Sequence, residues 1–129
     1  MDDSTLRDGL AAAQSVLEHV RCLLADPQRW QHFGVARDGL GQWTPADSPT
    51  AVSWSLSGAL ERTALSDIAG FGGQLPQSLA KVALTSAVLR VRPDAPAWWR
   101  FAQFEQSPDT THAHVLDLLG EAIAILRRS

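Results

Sequence analysis

Hydrophobic residues recur at three- and four-residue steps near both ends of the chain. This spacing places them on one stripe of an amphipathic helix. The first stripe, between Thr5 and Ala25, is formed by Leu6, Leu10, Ala13, Val16, Leu17, Val20, Leu23 and Leu24. The last, which continues to Arg127 and Arg128, is formed by Val115, Leu118, Leu119, Ala122, Ile123 and Leu126. We therefore predict a first helix over about 5–25 and a last helix with Asp109, Thr110 or Thr111 as its N-cap.

Between these helices, residues 33–44 have the pattern of a short β-hairpin. Gly34, Asp38-Gly39 and Gly41 are turn signals that separate short segments suited to strands. A two-stranded ribbon alone is marginally stable, so the hairpin must pack on helices. Phe33 and Trp43 are the expected anchors.

A second helix is predicted to open at Ser48-Pro49 and to reach about Leu65. Gly58 lies inside it, where glycine costs about 1 kcal/mol relative to alanine. That cost is understandable if another backbone approaches closely beside Trp54, and the hairpin is the candidate.

The second half of the chain contains two further predicted helices. A glycine-rich loop at 68–74 matches neither a Walker nor a dinucleotide motif, which favours a plain connection over a phosphate site. A third helix is predicted from near Pro76 to Arg90, and a fourth from Pro96 to Glu105. Trp98 and Trp99 would point in different directions on the fourth helix, so at least one should lie in the core.

The predicted fold is mainly α. It is a compact single domain spanning residues 1–129, with about five helices and one short hairpin inserted after the first helix.

Charge and composition exclude several classes of function. The formal net charge is -3, which disfavours a partner that is a nucleic acid. No apolar run approaches the roughly 20 residues that span a bilayer, so no membrane contact is expected. A single cysteine, Cys22, forms no internal disulfide and suits a reducing compartment, so we predict a cytoplasmic protein.

Candidate catalytic and metal-binding groups are weak. His112-Ala113-His114 could pair on a strand, but on a helix the two rings diverge by about 200°. Ser55 lacks the preceding glycine of a nucleophile elbow, and Cys22 lies on a polar helix face without a nearby base. We predict no catalytic residue, no metal and no cofactor, which leans against an enzyme.

Several spaced blocks together resemble a family of small bacterial and phage-encoded proteins that is catalogued only as a domain of unknown function. The blocks are Trp30, Gly34, Ala36-Arg37-Asp38, Gly41, Pro45, Ala51, Trp54, Gly58-Ala59-Leu60, Thr111-His112, Val115-Leu116 and Ala122-Ile123. The resemblance implies a single mostly helical domain and no assigned activity. The chain departs from the pattern at Ser55, where the family commonly has Cys, and at Glu105-Gln106, near a common Asn-Asp pair.

The family-like residues suggest one meeting place, where the hairpin packs on the second and last helices. The ligand-binding candidates there are Trp30, Arg37, Asp38, Trp54 and His112. The alternative is a structural polar cluster that fixes the hairpin, because buried Trp and His nitrogens need partners in any case. Arg37 itself could bind a carboxylate or phosphate, while Asp38 shapes the turn.

Two functions are consistent with the sequence. The first is a non-enzymatic interaction or regulatory module that binds another protein, or a second copy of itself, through Trp98, Trp99 and Arg100 or the hairpin tip. The resemblance adds an accessory role in a bacterial or phage mobile element. The second is a small-molecule-binding protein or weak enzyme that uses the Trp, Arg, Asp and His candidates.

Overall fold

The two amphipathic stripes form long helices, as predicted. In the computed structural model, which describes residues 3–65 and 74–129, α1 spans Asp3–Leu23 and α5 spans His112–Arg128. Thr111 is the N-cap of α5, and its Oγ1 accepts a hydrogen bond from the His114 backbone N–H. In return, His114 Nδ1 accepts the Thr111 N–H, which completes a capping box.

A third long helix completes the main layer of the fold. α3 spans Gln74–Val91 and packs against both α1 and α5. Its side toward the bundle is lined by small and branched residues, which allow the helices to approach closely. These are Ala80, Ala83, Leu84, Ala87 and Val88. The core of the domain lies between these three helices.

The hairpin is present, but it belongs to a three-stranded sheet. β1 (Ala36–Asp38) pairs antiparallel with β2 (Trp43–Thr44) on one side and with β3 (Ala51–Trp54) on the other. The prediction of a helix from Ser48 was therefore wrong in its first part. Pro49 lies in a turn closed by the Ala51 N–H on the Ser48 carbonyl, and residues 51–54 satisfy their backbone groups against β1.

The second helix begins later than predicted, because Ser55 and not Ser48 is its N-cap. α2 spans Leu56–Ala64, with Ser55 as its N-cap. Ser55 Oγ accepts the Gly58 N–H at 3.0 Å and donates to the Gly34 carbonyl at 2.6 Å. The hydroxyl therefore starts the helix and fastens the hairpin to it.

The close approach predicted at Gly58 is confirmed. A Cβ at this position would lie 1.8 Å from the backbone oxygen of Val35, just before β1. Only a residue without a side chain lets the strand segment lie this near to α2.

The predicted anchoring by Phe33 and Trp43 is wrong, because both side chains are exposed. The strand alternation places Ala36 and its partner Trp54 toward the helices instead. Trp43 pairs with Arg37 on the opposite face of the sheet.

The fourth helix is shorter than predicted. α4 spans Phe101–Gln106, and residues 93–100 form turns in which the Trp99 N–H bonds to the Pro96 carbonyl. Gln103 Oε1 accepts the Arg100 N–H at the start of the helix. Of the loop predicted at 68–74, residues 68–73 lie outside the described residues and Gln74 begins α3.

The result is a mainly α, compact single domain with a small antiparallel sheet on its flank. In the described ranges, no helix combines the length and the apolar character needed to cross a bilayer.

Candidate functional site

A buried carboxyl group joins three separate segments of the chain. Glu105, near the end of α4, accepts two hydrogen bonds at Oε2. One comes from the indole Nε1 of Trp30 at 2.7 Å and the other from the backbone N–H of Leu56, the first residue of α2, at 2.6 Å. Glu105 is only 3% exposed. It therefore fixes both the position of the Trp30 ring and the beginning of α2.

Burial governs the ionisation of this carboxyl group. Removal from water raises the pKa of Glu105 to about 8, although the hydrogen bonds from Trp30 and Leu56 act in the opposite direction. Among the described residues, no cation forms an ion pair with Glu105 that would offset the burial. At neutral pH most molecules therefore carry this group in its neutral form.

His32 packs beside the same indole. Its ring centroid lies 4.3 Å from that of Trp30, and its Nε2 lies 3.0 Å from the Thr110 carbonyl oxygen. Because a carbonyl oxygen can only accept, the hydrogen must be on His32 Nε2. Trp30 itself follows a 3-10 turn, Pro27–Arg29, whose N-cap is Asp26.

His112 completes the group, which we call the Trp30 cluster (Trp30, His32, Glu105, Thr110 and His112). Its ring centroid lies 6.3 Å from that of Trp30, and its Nε2 donates to the Leu24 carbonyl at 2.6 Å. This contact ties the start of α5 to the end of α1. The neighbouring His114 has a different partner, since its Nδ1 caps Thr111.

Trp54 lies next to the cluster through the backbone. The Gln31 N–H bonds to the Trp54 carbonyl at 3.1 Å, while the indole Nε1 of Trp54 donates to the Ala46 carbonyl at 3.0 Å. Arg62 donates to the same carbonyl and lies over the Trp54 ring at 4.9 Å. The structure thus brings together three of the five predicted ligand-binding residues: Trp30, Trp54 and His112.

The other two predicted residues lie elsewhere, at the hairpin. Within the described residues, Arg37 and Asp38 make no hydrogen bond or ring contact with the Trp30 cluster. The Arg37 guanidinium lies 4.2 Å from the Trp43 ring centroid on the outer face of the sheet. The prediction of one shared site for all five residues does not agree with this arrangement, because alternate strand positions point to opposite faces.

Asp38 shapes the turn, as predicted. Its Oδ1 accepts the N–H groups of Leu40 at 2.9 Å and Gln42 at 3.0 Å. Its own N–H bonds to the Gln42 carbonyl, and its carbonyl accepts the Gly41 N–H. Gly41 has a φ of 80°, which glycine adopts without strain.

This turn presents an apolar tip. Leu40 is 84% exposed, and Trp43 beside it is 61% exposed. We call Arg37, Leu40 and Trp43 the hairpin surface. Trp43 also borders a cleft of about 530 Å³, lined by Gly34, Val35, Ala36, Trp43, Thr44, Pro45, Ala46 and Glu61.

The predicted partner-binding segment has one outward and one inward tryptophan. Trp98 is 71% exposed, whereas Trp99 is half-buried against the core. Their rings meet edge to face, with centroids 6.5 Å apart. The Arg92 guanidinium lies 5.9 Å from the Trp99 ring. Arg100 is exposed and starts α4.

The described part of the chain shows no group of three or more His, Cys, Asp or Glu side chains arranged to hold a metal ion. Cys22 is an exposed free thiol on α1. The polar groups of the Trp30 cluster are hydrogen-bonded to one another or to backbone atoms.

A model of a family of unknown function, DUF6197, matches residues 10–125. The chain belongs to DUF6197. Searches of curated proteins and of solved structures gave no match. The resemblance to a family without assigned activity is thus confirmed, and the side chains of this DUF6197 domain are the guide to its role.

Several residues of the candidate sites were missed by reasoning from the sequence, among them Glu105 and Leu40. Glu105 stood out only as a departure from the family-like pattern, although the one charged residue of the short helix α4 is itself a signal of a buried partner. Leu40 was passed over as a turn residue, although a leucine between two glycines has no local role in the turn. Ser55, the other departure from the family-like pattern, caps the start of α2, and Glu105 accepts a hydrogen bond from the first N–H of that same helix.

Proposed function

We propose that this DUF6197 domain is a non-enzymatic interaction module that binds another protein through the hairpin surface. The observation that carries the proposal is Leu40, an apolar side chain held almost fully in solvent by a hydrogen-bonded turn. The turn does not require leucine, because Asp38 and Gly41 supply its hydrogen bonds and its backbone geometry. A partner protein that covers Leu40 would explain why a leucine stands at this exposed position.

The turn is organised before binding. Two side-chain and two backbone hydrogen bonds surround Asp38, so Leu40 is presented with little conformational freedom. Little ordering entropy would therefore be lost on association, which favours affinity for a given contact area.

Trp43 and Arg37 extend this surface in a way typical of binding hot spots. Tryptophan and arginine are enriched where interfaces gain most of their energy. Here the guanidinium rests on the indole face at 4.2 Å, which holds both groups in place. The adjoining cleft of about 530 Å³ offers a hollow for a side chain of the partner.

The alternative, a small-molecule site in the Trp30 cluster, has weaker support. The Trp30 and Trp54 indole nitrogens and His112 Nε2 already bond to protein atoms. A ligand would have to displace these bonds. The cluster is better explained as the polar junction that holds the sheet on the helices, and this reasoning leans against an enzyme.

The test compares immobilised wild-type protein with Leu40→Ala and Trp43→Ala in partner capture from the source cells. Bound proteins are identified by mass spectrometry, and the strongest candidate is then titrated in purified form. We expect both variants to lose the specific partner. Leu6→Ala, an exposed leucine on α1, is the matched control and should retain it.

Light scattering measures the mass of the same variants in solution and so tests whether the partner is a second copy of this chain. A wild-type dimer that becomes monomeric in Leu40→Ala would identify the partner as another copy of this chain. Circular dichroism checks that each variant is folded. Capture of an unchanged set of proteins by Leu40→Ala, with an unchanged mass in solution, would refute the proposal.

A cytoplasmic location and an accessory role in a bacterial or phage mobile element form the remaining part of this proposal. The first follows from the single cysteine and the second from the family-like blocks in the sequence.

A further inference from the structure

A second surface, which shares no lining residue with the cleft beside Trp43, has the character of an anion site. Between α3 and the start of α4 lies a cleft of about 320 Å³, which we call the α3–α4 cleft. Its lining residues are Lys81, Val82, Thr85, Ser86, Arg100 and Phe101. Positions 81 and 85, and positions 82 and 86, are one helical turn apart, so the four α3 residues share one face.

The two cations that line the cleft are not neutralised by an ion pair. Neither Lys81 nor Arg100 forms an ion pair within the described residues. Two like charges beside one cleft repel each other, and an anion placed between them would relieve that repulsion. Lys81 is the one lysine of a chain whose net charge is -3, so the positive pair is a local feature.

The remaining lining residues suit a ligand that has a charged head and an apolar body. Thr85 and Ser86 carry hydroxyl donors, and a guanidinium binds carboxylate or phosphate through two parallel hydrogen bonds. Val82 and Phe101 supply apolar surface beside these donors. We propose that the α3–α4 cleft binds a small organic anion, in which a carboxylate or phosphate head is held by Lys81 and Arg100 and an apolar body lies against Phe101.

One acidic neighbour tunes the site. Glu61 lines an adjoining cleft that also contains Lys81 and Phe101, but it is not ion-paired with Lys81. Its negative charge lowers the affinity for an anion. Removal of that charge is therefore expected to strengthen binding, an effect opposite to that of removing either cation.

The site is tested with purified protein by ¹H–¹⁵N chemical-shift titration. The probes are 3-phenylpropionate and phenyl phosphate, with benzyl alcohol as a neutral analogue and inorganic phosphate as a head without a body. We expect shifts at residues 81–86 and 100–101 with the two aromatic anions. The anion that binds with the higher affinity shows whether the cleft prefers a carboxylate or a phosphate head.

Four variants sharpen the test. Lys81→Ala and Arg100→Ala should each weaken binding about tenfold, the effect of losing one charge-assisted hydrogen bond. Glu61→Gln should strengthen it. Arg7→Ala, which removes an exposed cation of α1 that does not line the cleft, should leave it unchanged.

Three outcomes would overturn the proposal: benzyl alcohol binding as tightly as the anions, shifts located elsewhere, or equal weakening by Arg7→Ala. Shifts that inorganic phosphate reproduces in full would refute the part assigned to Phe101. Because Lys81 and Arg100 do not line the cleft beside Trp43, the results for Lys81→Ala and Arg100→Ala do not depend on the fate of the hairpin proposal.

Discussion

At the scale of single residues, Glu105 connects ionisation to the stability of the fold. Its carboxyl group accepts hydrogen bonds from Trp30 and from the first N–H of α2, yet burial leaves it mainly protonated at neutral pH. The folded state therefore binds this proton more tightly than the unfolded state does, since an exposed glutamate has a pKa near 4.5. The linkage between proton binding and folding then fixes how stability changes with pH.

We predict that the stability supplied by protonated Glu105 is complete below about pH 4.5 and is lost as the pH rises through about 8. In that window the free energy of unfolding should fall by at most about 1.4 kcal/mol per pH unit from this group. Urea unfolding between pH 5 and 9 measures the change. Glu105→Gln, which imitates the neutral acid, should show a flatter profile and exceed the wild type in stability at pH 9. Parallel profiles of the two proteins would contradict the assignment.

Gly58 is a second residue with a measurable consequence. Replacement by alanine would place a Cβ 1.8 Å from the Val35 carbonyl oxygen, so the sheet must move away from α2. We predict a loss of about 3 kcal/mol in unfolding free energy, the cost of overpacking a close contact.

Gly120→Ala is the matched control for this substitution. Gly120 lies within α5, and the atom nearest to an added Cβ is in the Arg21 side chain at 3.8 Å. Alanine should stabilise that helix by about 1 kcal/mol. If both alanine variants changed stability in the same direction, the backbone contact at Gly58 would not be the cause.

Residue roles that depend on local chemistry could be predicted from the sequence. Gly58 as a point of close approach, Asp38 as the turn residue and Thr111 as one possible cap all follow from nearby sequence. Glu105 could not be assigned in this way, because its partners are 75 and 49 positions distant. The position of Arg37 beside Trp43, apart from the Trp30 cluster, could not be predicted because a sequence does not show which sheet face meets the helices.

At the scale of elements, the helices with strong apolar stripes were predicted nearly to their ends. The stretch after Ser48 was misassigned because Ser and Pro favour a turn as readily as a helix start. Pairing with β1 decided the outcome for residues 51–54, a tertiary effect that local propensity does not contain. Residues 96–100 likewise remain in turns, which left Trp98 outside.

Two helix caps allow a comparison between a purely local contact and one that also has a tertiary partner. Thr111→Ala removes only the cap of α5, so we expect a loss of about 1 kcal/mol. Ser55→Ala removes the cap of α2 and also leaves the Gly34 carbonyl without its donor, so a loss of about 2 to 3 kcal/mol is expected. Thermal and urea unfolding of both variants give the comparison. Equal losses would mean that the bond to Gly34 contributes little.

At the scale of the whole molecule, the domain has a helical body and a sheet that is fastened to it at a few points. The helices α1, α3 and α5 share the core, whereas the sheet contributes mainly Ala36 and Trp54. The spacing of the apolar residues predicted the single mainly α domain, and the structure confirms it. The exposed surfaces could not be predicted, because hydropathy counts apolar residues without showing which ones the fold leaves outside.

The hydrogen bonds that join Glu105 to Trp30 and Leu56 also affect folding during synthesis of the chain. Synthesis on the ribosome proceeds from the N-terminus, so Trp30 and Leu56 emerge well before the carboxyl group that joins them. Until 49 further residues have followed Leu56, the beginning of α2 has no acceptor from α4. During that interval the apolar stripe of α1 still lacks its partner α5, so a chaperone would find exposed apolar surface to bind.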